Sequence, residues 1–191
     1  MTTERYSVHA AELLAQKYAK IKSEKQFAQS FWRDMFGNLC AIHDLIAAGI
    51  EFEYPVRSHE TGTIKFIDVL WPGVVLVEHK SQGESLDKAE QQARDYLISL
   101  EAAKRPPVII LSDFANFRII EVLAGKSVEF ALSELPQNVA RFEAIIGDAG
   151  VGASRVEVEA DTKAANLMSE LFVQFEKAGY TGHEVSVFLV R

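Results

Sequence analysis

Fifteen consecutive residues, Phe66 to Lys80, constrain this chain more than any other stretch. They read FIDVLWPGVVLVEHK: two runs rich in β-branched and aromatic residues on either side of Pro72-Gly73. That is the signature of strand, tight turn, strand. A turn centred on Gly73 sets Asp68 directly opposite Glu78. Directly opposed residues have Cβ atoms roughly 4.5–5.5 Å apart on one face of the hairpin. Lys80, two residues beyond Glu78, shares that face, whereas His79 points to the other and reads as structural. A slip of one residue would destroy the arrangement, so the pairing register is the critical expectation.

Two carboxylates this close repel one another, and an apolar hairpin makes the repulsion worse. A divalent cation relieves it. Mg²⁺ takes oxygen ligands and retains several waters, so two carboxylates plus a substrate phosphate suit it, with Mn²⁺ as a substitute. Asp68 and Glu78 are the expected metal ligands, and Lys80 the expected cation beside the reacting water or phosphate. A glycosidase using paired carboxylates fits less well, given the adjacent lysine and the short separation.

The remaining composition narrows the function class. The 191 residues carry a net charge of −7, which argues against strong independent binding to nucleic acid. A bound metal, or a DNA-holding partner domain, would have to supply the missing positive charge. The single cysteine, Cys40, excludes a disulfide framework and a Cys-rich zinc site; it reads as core. With a polar start from Met1 to Arg5 and no apolar run of about 18 residues, no membrane association and a cytoplasmic setting are expected.

Elsewhere the pattern predicts a helix over 4–20. A second helix is predicted from Ser23, boxed with Gln26 and carrying Phe27, Phe31, Met35, Leu39, Ile42 and Ile46 up to Gly49. Strands follow over 50–57, 63–70 and 74–80, and then a helix from Ser85 to about 103. Pro106-Pro107 leads into Val108–Leu111, a strand apolar enough to be buried on both faces. Further strands are expected at 117–123 and 127–131, with a helix over 133–147. The fold class is α/β (α+β), a central mixed sheet flanked by helices with a helical C-terminal segment. The expected organisation is a domain over 1–146, a Gly-containing linker over 147–161 and a helical segment over 162–191. The apolar end, Val185 to Val190, suggests a fragment of a longer chain.

Asp68, nine intervening residues and then Glu78-His79-Lys80 resemble the Asp…Glu-x-Lys signature of the PD-(D/E)XK nuclease superfamily, with Ile67 in place of the signature proline. Gln92 and Tyr96, one helical turn apart, resemble the Gln-x-x-x-Tyr motif of its RecB-like branch and imply support of the active site. The run from Ile67-Asp68 through Val77 to Ala93, followed by Pro107 and Ser112-Asp113-Phe114, is similar to the N-terminal nuclease region of MmeI-like Type IIG/IIL restriction-modification enzymes. That resemblance covers about residues 25–191. It implies a restriction-endonuclease-like core and a Mg²⁺-dependent endonuclease acting on double-stranded DNA. It also implies a longer chain with a helical connector, an adenine-N6 methyltransferase using AdoMet, and a target-recognition region. No AdoMet-binding glycine loop or Asn-Pro-Pro-Tyr/Phe motif occurs here, so AdoMet belongs to the absent region. The alternative is an inactive nuclease-like module that docks DNA or another domain.

Ser81 and Gln82, just past the strand, are candidate phosphate contacts. Glu24 and Asp34 are alternative sources of a third acidic ligand, with solvated helix positions as the plainer reading. Lys17, Lys20, Lys22 and Lys25 form a basic run, read as a solvated helix face.

Overall fold

A computed structural model describes residues 3–42, 44–59, 61–142 and 145. They belong to one compact unit, Met1–Ile146. The expected linker, the expected connector and the apolar end lie outside the described residues.

Six strands form one mixed sheet in simple chain order: β1 (Glu51–Arg57), β2 (Ile64–Trp71), β3 (Val75–His79), β4 (Val108–Ser112), β5 (Asn116–Glu121) and β6 (Lys126–Ala131). Only β3 and β4 are parallel; the other neighbours are antiparallel. A parallel pair needs a crossover, and α3 (Leu86–Ser99) supplies it. Helices α1 (Thr3–Tyr18) and α2 (Glu24–Asp34) pack on the opposite face. The result is the α/β, restriction-endonuclease-like sheet between helices that the element order implies.

Two apolar clusters follow from this layering. One joins Leu14, Tyr18, Phe31, Trp32 and Met35 of the N-terminal helices to Val69, Val75 and Val77. The other joins Ala89, Ala93, Tyr96 and Leu97 of α3 to Ile67, Leu70, Leu76 and Ile109. β3 lies between the clusters, so all five of its residues are buried. β4 is nearly as enclosed, as its unbroken apolar run requires.

The second predicted helix ends early. α2 stops at Asp34, a π-helical turn covers Met35–Leu39, and Ala41 turns the chain at φ +55. Gly37-Asn38, both poor helix formers, lie inside that turn. Ile46, assigned by periodicity to the buried stripe, is 89% exposed. Ser23 precedes α2 as predicted but caps nothing with its side chain. The amide of Glu24 instead donates to Ser81 Oγ at 3.4 Å, so the cap comes from the loop after β3. Ser85 does cap α3, accepting from the Lys88 amide. α3 ends at Ser99, before the predicted 103, and a short 3₁₀ turn covers Ala102–Lys104. After β6 a 3₁₀ turn, Leu132–Glu134, enters helix α4 over 135–142.

Candidate functional site

The β2–β3 hairpin turns at Gly73, whose φ of +74 suits glycine and strains other residues. Its ladder pairs Trp71↔Val75, Leu70↔Leu76 and Val69↔Val77. One step further along that register Asp68 lies across from Glu78, as the turn-centred reading requires. The Asp68 carboxylate accepts from the backbone N–H of His79 at 2.6 Å, which fixes it against the end of β3. Lys80 is held in place by its own amide, which donates to the Ser112 carbonyl of β4 at 2.8 Å.

From there a polar chain runs outward to α3. Lys80 Nζ donates to Glu78 Oε1 at 2.6 Å and to Gln92 Oε1 at 3.0 Å. The Gln92 amide donates to the Tyr96 hydroxyl. The residues expected at the site thus meet where the end of β3 faces α3. His79 faces the other way, among Phe31, Trp32 and Phe114.

The electrostatics are those of charge held out of water. Glu78 is 1% exposed. Burial, reinforced by the Asp68 carboxylate and opposed by Lys80, pushes its pKa up to about 8. Burial likewise raises Asp68 to about 6, although the His79 amide and Lys80 pull it down. Burial works against the Lys80 ammonium, but Glu78 and Asp68 outweigh it and keep its pKa above the ordinary lysine value. Tyr96, also buried, is raised to about 12 and stays a neutral phenol. Glu78 Oε2 is buried with no hydrogen-bond partner.

A protein-family model described as MmeI, N-terminal domain, matches residues 7–178. The chain belongs to that family. No curated protein and no solved structure is significantly similar to it. Membership of the MmeI N-terminal domain family associates the chain with restriction-modification enzymes.

The other candidates of this MmeI N-terminal domain fall in different places. Ser81 Oγ is engaged by the α2 amide, so its first role is structural. Gln82 lines a cavity of about 490 Å³ beside α1, with Gln16, Phe114 and Leu132. Its backbone N–H donates to the Lys22 carbonyl at 3.1 Å. Neither side chain joins the Asp68–Glu78–Lys80 group. Glu24 lies within electrostatic reach of Asp68, Glu78 and Lys80. Asp34 accepts from Lys17 and Tyr18 instead and belongs to the packing of α1 on α2. Cys40 packs against the first apolar cluster.

One neighbour was missed by sequence reasoning. The β1–β2 ladder pairs Phe52↔Val69 and Tyr54↔Ile67 but skips the pair between them, Glu53 and Asp68. Glu53 has φ +51 at this break, and its charge helps raise Asp68. Phe52 and Val69 pack in the first cluster, Tyr54 and Ile67 in the second, so the strands change face at this rung. A register centred on Thr61-Gly62 would have set Asp68 opposite Pro55, two residues off the observed ladder, so no local turn signal finds Glu53.

Among the described residues, no group of three or more His, Cys, Asp or Glu side chains is assembled to hold a metal ion. The candidate centre is a pair. Its donors suit a hard cation: two carboxylates, one with a buried oxygen that no protein group engages. Among the described residues no helix is long and apolar enough to cross a membrane.

Proposed function

We propose that this domain is a Mg²⁺-dependent endonuclease module that hydrolyses DNA phosphodiesters, with Asp68 and Glu78 as metal ligands and Lys80 as the catalytic cation. The observation that carries the reading is the Glu78 carboxylate, buried with one oxygen on Lys80 and the other unpartnered. A carboxyl taken out of water in this way, with burial and Asp68 pushing its pKa up, is costly to keep in a core unless it serves a function.

When bound, the cation supplies positive charge to a phosphodiester and lowers the pKa of a water molecule. The chain's own residues do the rest. Asp68 is oriented by the His79 amide. Lys80, with its raised pKa, is an ammonium at neutral pH. It therefore stabilises negative charge building on the phosphate and does not act as a general base. Gln92 takes one Lys80 proton in a hydrogen bond and is itself held by Tyr96, so α3 fixes the direction of the ammonium. The net charge of −7 fits a module whose DNA is held by other regions of a longer chain. Those regions would be a helical connector, an AdoMet-dependent methyltransferase and a target-recognition region, in a cytoplasmic restriction-modification enzyme with Mn²⁺ as a substitute metal.

The test has two parts. Calorimetric titration of this chain with Mn²⁺ should show binding that Asp68→Ala abolishes. In the longer enzyme, Lys80→Ala should eliminate cleavage and leave methylation intact. Equal metal binding by wild type and Asp68→Ala, or persistent cleavage by Lys80→Ala, would leave the inactive docking module as the better description.

A further inference from the structure

His79 occupies the middle position of Glu78-His79-Lys80, and its side chain faces away from both neighbours. It is 0% exposed. Its Nδ1 accepts a hydrogen bond from Trp32 Nε1 on α2 at 3.1 Å. The proton of the neutral ring is therefore on Nε2, which is buried without a partner. A leucine there would fill similar space and carry no unmet N–H of its own, but it would leave the buried Trp32 indole N–H without its acceptor. The imidazole gives the indole its acceptor at the cost of one buried, unpartnered N–H, so packing alone does not account for it.

Its connections supply a reason. The ring stands against Phe114 at 4.1 Å between centroids and against Phe31 at 5.4 Å, while Trp32 holds its one acceptor. The same residue's backbone N–H is the group that binds Asp68 Oδ2. The residue thus has one hydrogen bond on each side of the sheet: its ring is tied to α2, and its amide orients an acidic residue of the site. Rotation of the β3 end would move the Asp68 contact, and with it the alternation that sends Glu78 and Lys80 toward α3.

We infer that His79 and Trp32 are positioning residues for the Asp68–Glu78 pair, the Trp32–His79 hydrogen bond fixing the strand end from behind. The inference deepens the nuclease reading and rests on it for the metal. Its geometric core, the dependence of the His79 amide contact on the indole donor, stands apart from that reading.

Three variants of the full chain separate the possibilities. Trp32→Phe keeps the aromatic packing and removes the donor. His79→Leu keeps the bulk and removes the acceptor. His79→Asn retains an acceptor near the Nδ1 position. Two quantities are read well below each variant's melting temperature. The first is the Mn²⁺ dissociation constant by calorimetry. The second is amide hydrogen exchange of residue 79 relative to that of Val77 in the same strand. Trp32→Phe and His79→Leu should each weaken Mn²⁺ binding roughly 10-fold, in the range seen for groups that orient metal ligands. They should also speed exchange at residue 79 selectively, with the double variant no worse than either single. His79→Asn should stay within about 3-fold of wild type for metal, on the same principle.

A purely structural role would lower melting temperature and leave affinity and relative exchange unchanged, which would overturn the inference. Should wild type bind no Mn²⁺, the metal reading falls. Selective exchange at residue 79 in Trp32→Phe would then still support the positioning role, and its absence would remove that as well.

Discussion

Replacing Glu78 by glutamine should stabilise the metal-free protein at alkaline pH. The folded protein holds this carboxyl at about 8, whereas the ordinary glutamate value is 4.5. Between those values the folded chain keeps a proton that the unfolded chain releases. The contribution to stability is therefore fully present below about 4.5 and is lost as pH rises through about 8. At about 1.4 kcal/mol per pH unit, that interval corresponds to about 5 kcal/mol, which water entry and relaxation reduce to about 2.5 kcal/mol. For a domain of this size 1 kcal/mol moves the melting temperature by about 2–4 °C. In thermal melts with chelator, the difference between Glu78→Gln and wild type should thus grow by about 4 °C or more from pH 5 to pH 9, in favour of the variant. Any constant penalty from the unpartnered amide nitrogen cancels in that comparison. Adding Mg²⁺ at pH 8 should raise the wild type and leave the variant nearly unmoved. Parallel curves for the two proteins across pH would refute the claim that a carboxyl is held neutral at this point.

Three further outcomes follow from the same geometry. Burial holds His79 down at about 3, below its ordinary 6.5, so its contribution is present above about 6.5 and lost as pH falls toward 3. His79→Asn should flatten the acid side of the melting curve between pH 6.5 and 4, and an unchanged acid limb would contradict a neutral buried ring. Gly73→Ala, forced to φ +74, should lose about 1–2 kcal/mol in chemical denaturation; a loss below a few tenths would mean the turn can adopt another conformation. Arg118 ties Asp87 and Glu90 of α3 to Glu129 of β6, mostly near the surface. Arg118→Ala should therefore lower stability by only about 1 kcal/mol and speed hydrogen exchange in α3 before that in β3.

The grouping of the candidate residues was legible because they are local. One turn and a period of two place Asp68, Glu78 and Lys80, and a period near four places Gln92 and Tyr96. The buried strand Val108–Leu111 was legible for a similar reason, since only a two-faced environment tolerates such a run. What escaped depends on partners distant in sequence. The cap of α2 is supplied by Ser81, so a local box with Gln26 was the wrong place to look. The helical stripe through Ile46 is continuous in sequence, yet the π-helical turn and Ala41 end the helix well before β1. Glu53 has no motif of its own; only the interrupted β1–β2 ladder brings it beside Asp68.

The crossover from β3 to β4 also sets an order of assembly. Asp68 and Glu78 are joined by a hairpin whose two strands are separated only by the Gly73 turn, so they can meet while still hydrated. Their removal from water waits for α3 to cross and for β4 to dock in parallel, contacts of much longer sequence separation. On this contact order, electrostatic strain at the pair is expected to build late in folding. A cation bound at the pair would then be expected to slow unfolding more than it speeds folding, which stopped-flow rates with and without Mg²⁺ would check.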